Sequence, residues 1–153
     1  RSLGGELSVK WRPAERLALN ASYGYSNARF RRFYNGINDF KGKFLPYAPQ
    51  NTIFAQAVYT IPTGRKWLGN IALDVNVKGT GKIYWNESNE DWQDFYAILG
   101  ASCTLGDEKR SLQIWGRNLT DTRYHTFYFM SMGNEFFQRG RGLEFGATLR
   151  ITI

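Results

Sequence analysis

The sequence predicts an all-β protein, an antiparallel up-and-down meander of about seven long strands. Three observations predict it. Apolar and polar side chains alternate residue by residue through most of the chain, short and long connections take turns between the alternating segments, and no segment repeats its apolar residues at helical spacing. Of the 153 residues, 42% are apolar and 16% aromatic against 22% charged, which excludes disorder and fits one domain.

The first strand alternates Leu7, Val9 and Trp11 with Glu6, Ser8, Lys10 and Arg12. The second is the cleanest, with Leu17, Leu19, Ala21, Tyr23 and Tyr25 on one side and Ala18, Asn20, Ser22, Gly24 and Ser26 on the other. A third, less regular, covers 52–61. The fourth sets Ile71, Leu73, Val75 and Val77 against Asn70, Ala72, Asp74, Asn76 and Lys78. The fifth sets Phe95, Ala97, Leu99, Ala101, Cys103 and Leu105 against Asp94, Tyr96, Ile98, Gly100, Ser102 and Thr104. A sixth, also less regular, is expected from Ser111 to about Met130. The seventh alternates Leu143, Phe145, Ala147, Leu149, Ile151 and Ile153 with Glu144, Gly146, Thr148, Arg150 and Thr152. Turn residues fill the short connections at 12–16, 62–66 and 106–110, and longer loops are expected at about 31–50, 85–91 and 131–140.

Turns at one end and loops at the other are the layout of an outer-membrane barrel. Strands of about ten residues suit a tilted bilayer crossing, whereas soluble strands average about five or six. Charges stand mid-strand on the polar side (Lys10, Asp74, Lys78, Arg150), as a wet lumen permits. Rings gather near the expected strand ends: Trp11, Tyr25, Phe30, Tyr59, Trp67, Tyr84, Trp85, Trp92, Phe127, Tyr128 and Phe129. Such rings suit the headgroup level. On this reading Leu17, Leu73, Leu99 and Leu149 face hydrocarbon, while Asn20, Asp74 and Arg150 face water. Two alternatives share the alternation: a soluble β-barrel or sandwich holding a small apolar ligand, and a small structural outer-membrane barrel.

The stretch Asn118-Leu119-Thr120-Asp121-Thr122-Arg123-Tyr124, after Leu112-Gln113-Ile114-Trp115-Gly116-Arg117, resembles the Asn-Leu-Phe/Thr-Asp-x-x-Tyr signature near the end of TonB-dependent outer-membrane receptors. Gln138-Arg139-Gly140-Arg141-Gly142-Leu143-Glu144-Phe145 and the residues up to Ile153 are similar to their closing strand. Leu45-Pro46-Tyr47-Ala48-Pro49 resembles the element with which such receptors re-enter the membrane after a long external loop, and the ending at Ile153 is similar to that of Bacteroides-like members. The resemblance implies a fragment of a 22-stranded barrel whose plug precedes it. It also implies a Gram-negative outer-membrane location among lipid and lipopolysaccharide, coupling to the TonB system through that missing plug, and uptake of a ferric siderophore or similar nutrient. Residues 1–153 are thus expected to be a C-terminal barrel segment, a processed or excised piece beginning at Arg1, whose open edges would drive self-association in isolation.

The chain carries 20 Lys and Arg against 13 Asp and Glu, a net charge of +7. Its longest loop interleaves Arg29, Arg31, Arg32, Lys41 and Lys43 with Phe30, Phe33, Tyr34, Phe40, Phe44 and Tyr47. Arg29, Arg31, Arg32, Tyr34, Lys41, Lys43 and Tyr47 are candidate contacts for an anionic aromatic ligand or for lipopolysaccharide, through charge and stacking. The same composition also describes a plain solvated loop; nucleic acid is not expected as a partner. Asn118, Leu119, Asp121, Tyr124, Gly140 and Phe145 are marked by the family resemblance. One histidine, His125, and one cysteine, Cys103, exclude an internal disulfide and a multi-Cys or multi-His metal centre. Glu87, Glu90, Asp91 and Asp94 match no EF-hand spacing, and Gly79-Thr80-Gly81-Lys82 lacks the phosphate-loop spacing. No cofactor is expected. No nucleophile, base and acid stand together, so no enzyme is expected.

Overall fold

A computed structural model describes residues 1–65, 68–107 and 109–152; Lys66, Trp67, Glu108 and Ile153 lie outside the described residues. In chain order the strands are β1 (Ser2–Ala14), β2 (Leu17–Ala28), β3 (Asn51–Pro62), β4 (Asn70–Thr80), β5 (Ile83–Tyr84), β6 (Trp92–Gln93), β7 (Tyr96–Gly106), β8 (Arg110–Arg117), β9 (His125–Ser131), β10 (Asn134–Arg139) and β11 (Glu144–Ile151). Seven form one antiparallel sheet in the order β1-β2-β3-β4-β7-β8-β11, and β5-β6 and β9-β10 are small hairpins carried within two of the connections. The all-β meander expected from the alternation is therefore the observed fold.

Register separates the faces. Trp11, Leu19, Ala57, Val75, Ala101, Gly116 and Phe145 lie in one row across all seven strands. One residue along, Lys10, Asn20, Gln56, Asn76, Gly100, Arg117 and Glu144 form a second row on the opposite face. The polar face is wired sideways. Asn20 Nδ2 donates to Gln56 Oε1 (3.0 Å), Gln56 Nε2 to Asp74 Oδ2, and Asn76 Nδ2 to Asp74 Oδ1 (2.7 Å). Farther along, Gln113 Nε2 donates to Ser102 Oγ and Trp115 Nε1 to Thr148 Oγ1.

This sheet has no dry centre. Val75 is 50% exposed and Leu149 69%, and no large side chain among the described residues is fully buried. The buried apolar residues Ala28, Phe40, Ile83 and Trp85 all stand at or beyond the strand ends where the long connections begin. Cys103 sits on the apolar face opposite Leu73 and Ile114, as the alternation implied.

Three expectations are corrected. The sixth strand stops at Arg117 rather than running to about Met130, because the chain turns at Asn118, whose φ of 49° is incompatible with an extended strand. The expected loop at 131–140 is mostly strand β10, paired with β9 through the register Phe136↔Phe129. Tyr84, Trp85, Trp92, Phe127, Tyr128 and Phe129 are not at the ends of the wall strands but within the two inserted hairpins and the turn between them. The long connections accordingly span 29–50, 81–95 and 118–143.

At the opposite end the linkers are short. In the β7–β8 turn, Asp107 Oδ1 accepts the N–H groups of Lys109 and Arg110, each at 2.8 Å. The Arg110 amide first and the Lys109 amide second hold this carboxyl below its ordinary value of 3.8. Its stabilising contribution is complete above that ordinary value and is lost as pH falls through the lower folded one. Protection of the Lys109 and Arg110 amides against hydrogen exchange should therefore drop on acidification below about pH 4 in the native protein, and the drop should vanish in Asp107→Asn.

Candidate functional site

The three long connections meet at one end of the sheet and build there the packing that the wall lacks. Connection 29–50 is folded on itself by rings and one guanidinium. Phe30 stacks on Phe33 at 4.8 Å and Phe33 on Phe40 at 5.5 Å, while Phe30 N–H donates to Lys43 O and Gly42 N–H to Phe30 O. Arg29 lies 3.6 Å over the Phe44 ring and donates Nη1–H to Gly42 O and Nε–H to Asn27 Oδ1, both at 2.8 Å. β2 itself ends at Ala28, so Arg29, Arg31 and Phe33 do not continue its face.

Tyr47 joins all three connections. Its backbone N–H donates to Tyr84 O (2.8 Å), its hydroxyl donates to Tyr128 O (2.9 Å), and its ring stacks on Phe127 at 5.4 Å and meets Trp85 edge-on at 5.6 Å. Burial raises its pKa, and the Glu87 charge adds to that. Asn89, with φ at 60°, clamps the first connection to the second: Oδ1 accepts Phe44 N–H at 2.7 Å and Nδ2 donates to Phe44 O at 2.9 Å. Gln93 does the same between the second and third, accepting the His125 N–H at 2.6 Å. Trp85, only 6% exposed, is the centre of this nexus.

The third connection departs through a corner made by the signature residues. Asn118 is 2% exposed. Its Nδ2 donates to Thr122 O (3.0 Å) and Arg141 O (2.9 Å), and its Oδ1 accepts Thr122 N–H (2.9 Å). Leu119 N–H donates to Leu99 O, and Asp121 Oδ1 accepts Leu143 N–H at 3.1 Å. Tyr124 stacks on Tyr96 at 4.6 Å and lies flat over Gly140, where a Cβ would collide with the ring; burial, first, and Tyr96, second, raise the Tyr124 pKa. A Cβ at Gly116 would strike the Leu119 side chain at 2.6 Å, with the Phe145 ring next at 3.0 Å. These six residues tie the end of β8 to the start of β11.

The whole chain superimposes on known receptors. The ferric yersiniabactin uptake receptor FyuA from Yersinia pestis matches with a TM-score of 0.82 and 25% identity, over 98% of this chain and 23% of that one. The fold is that of a stretch of this receptor's barrel wall. The siderophore receptor PiuA (TM-score 0.72, 17% identity) and the ferric preacinetobactin receptor BauA (TM-score 0.68, 19% identity), both from Acinetobacter baumannii, share the fold over 97% and 95% of this chain. The wall segment spans only 21% of each of those two. No protein-family model matches the chain.

Within this wall segment the candidate ligand contacts separate into two groups. Arg29 and Tyr47 direct their polar groups into the loop scaffold. Arg31, Arg32, Lys41 and Lys43 are exposed, as Arg29 and Tyr47 also are, and Arg29, Arg31 and Arg32 border a surface cleft with Arg1, Phe30 and Leu45. Tyr34 is exposed at the tip, its hydroxyl donating to Gly36 O. The clamps Asn89 and Gln93 and the anchor Trp85 were missed by sequence reasoning. The available signal for Asn89 was the run 86–91, whose asparagines are turn formers.

Asn118→Ala should destabilise the wall by about 1–2 kcal/mol, since it leaves part-buried backbone groups of Thr122 and Arg141 without partners. Asn118→Gly, which relieves the positive φ, should recover no more than about 1 kcal/mol. Denaturant midpoints of both variants in detergent check this partition.

Proposed function

We propose that the chain is the C-terminal wall and external-loop segment of a TonB-dependent outer-membrane receptor, and that its cargo is a ferric siderophore. The observation that supports it best is the register-locked division of a coreless sheet into an apolar and a polar face. Such a sheet needs hydrocarbon on one side and a wet interior on the other. The match with FyuA supports the same reading. A 22-stranded barrel needs further strands on both free edges, β1 and β11. In the absence of those strands the edges favour self-association. In the whole receptor, cargo would be held at the mouth and released inward when TonB acts on the plug. This segment would contribute wall, loops and contact with lipid and lipopolysaccharide.

The face assignment is tested by two neighbouring substitutions. Val75→Arg puts a charge at mid-height on the apolar face and should cost about 2–4 kcal/mol, seen as loss of the protein from outer-membrane fractions. Asn76→Arg, one residue away and on the polar face beside Asp74, should leave those fractions nearly unchanged. A soluble protein in which Val75 is half exposed to water would show little effect from a charge there.

For the cargo, exposed cations at Arg31, Arg32, Lys41 and Lys43, with Tyr34, suit an anionic ferric chelate. The triple variant Arg31→Ser, Arg32→Ser, Lys43→Ser should weaken binding of a ferric siderophore roughly tenfold or more. Equilibrium binding with the iron-loaded and iron-free chelates measures it, and equal affinity of wild type and variant would remove these residues from the site.

A further inference from the structure

Opposite in chemistry to the basic loop is a cleft of about 270 Å³ between the 81–95 connection and β9. Its walls are the rings of Trp85, Trp92 and Tyr128 together with the imidazole of His125, with Glu90 and Asp91 on the rim. Trp85 and Tyr128 stand 6.4 Å apart with their planes tilted by 39°, so the two rings do not stack face to face. Indole and phenol faces carry negative potential and attract cations. This cluster already demonstrates that preference, because the Lys82 ammonium lies 4.3 Å from the centre of the Trp92 ring.

The two carboxylates are held in place but not neutralised. Asp91 Oδ2 accepts from Asn86 Nδ2 at 2.7 Å, and Glu90 Oε2 accepts from Ser88 Oγ at 3.0 Å, so each keeps a second oxygen for another partner. Neither is in an ion pair among the described residues, whose salt bridges are Lys82–Asp94 and Arg141–Glu144. Rings on three sides and acids on the rim would repel an anionic chelate. They do not suit a bare metal ion either: among the described residues no group of three or more His, Cys, Asp or Glu is placed to hold one.

We infer that this cleft binds a compact organic ammonium ion, with its charge against Asp91 and Glu90 and its alkyl surface against the three rings. The inference is independent of the transport reading, since it needs only the loop nexus. Choline serves as the probe, titrated into the full chain in a neutral maltoside micelle with tryptophan emission as the signal. Choline should change that emission saturably, and its uncharged carbon isostere should bind roughly tenfold more weakly. Asp91→Asn and, separately, Glu90→Gln should each weaken choline several-fold with the far-ultraviolet circular dichroism unchanged. If Asp91→Asn unfolds through loss of the Asn86 bond, Glu90→Gln and the isostere comparison still decide the matter. Absence of a saturable response, equal affinity for choline and isostere, or displacement of choline by micromolar calcium would each overturn the inference.

Discussion

The constraint on which the rest of the structure depends is the register of the seven wall strands. Side chains of a strand alternate between faces, so a slip of one residue in any pairing would move a whole apolar set across the sheet. In this chain the penalty for a slip is chemical on both sides. Val75 and Ala57 would exchange faces with Asn76 and Gln56, and the bonded line Asn20–Gln56–Asp74–Asn76 would be carried into the apolar surface. An amide or carboxylate there without a partner costs several times what one hydrogen bond contributes. The polar line therefore acts less as glue than as a lock on which face is which.

Because the wall has two surfaces and no interior, compactness has to come from somewhere else, and it comes from the long connections. Stacked and edge-on rings around Tyr47 and Trp85 bring together three excursions distant in sequence. Two side-chain amides, Asn89 and Gln93, close the joints by bonding to backbone groups of neighbouring connections. The loop end is thus the globular part of the molecule. That end carries exposed cations on one connection and, on another, Glu90 and Asp91 outside any ion pair among the described residues, so it presents two separate charge environments.

The alternation that made the wall legible needs only local information: each residue's face follows from its neighbours two places away. The number of wall strands, the order of short and long connections, and the faces of Cys103, Asp74 and Leu149 were all accessible on that basis. What failed to show was decided by partners far along the chain. Asn89 bonds to Phe44, 45 positions away, and Gln93 to His125, 32 away. The sixth strand was read too long for a related reason. The apolar run 127–130 does form strand, but it belongs to β9, which is re-aimed by a buried asparagine whose role appears only when Thr122 and Arg141 are in place. Arg29 and Tyr47 were chosen for charge and ring. Which of these residues spend their polar groups on the scaffold is a property of the folded loop, not of its composition.

The signature corner joins these two levels. Asn118 and Asp121 both take positive φ, which bends the chain out of the wall sharply enough for β11 to begin beside the end of β8. Asn118 then bonds to Arg141 O and Asp121 to Leu143 N–H, so the exit and re-entry of the connection are fixed to each other and not merely near. Tyr124 and Gly140 complete the closure, since the ring fits only where no Cβ stands. With both feet fixed, the β9–β10 hairpin can leave the wall in only a narrow range of directions, and the observed one sets Phe127 against Tyr47 and Tyr128 beside Trp85. The same short motif that ends one wall strand and starts the last therefore also sets the position of the rings at the mouth.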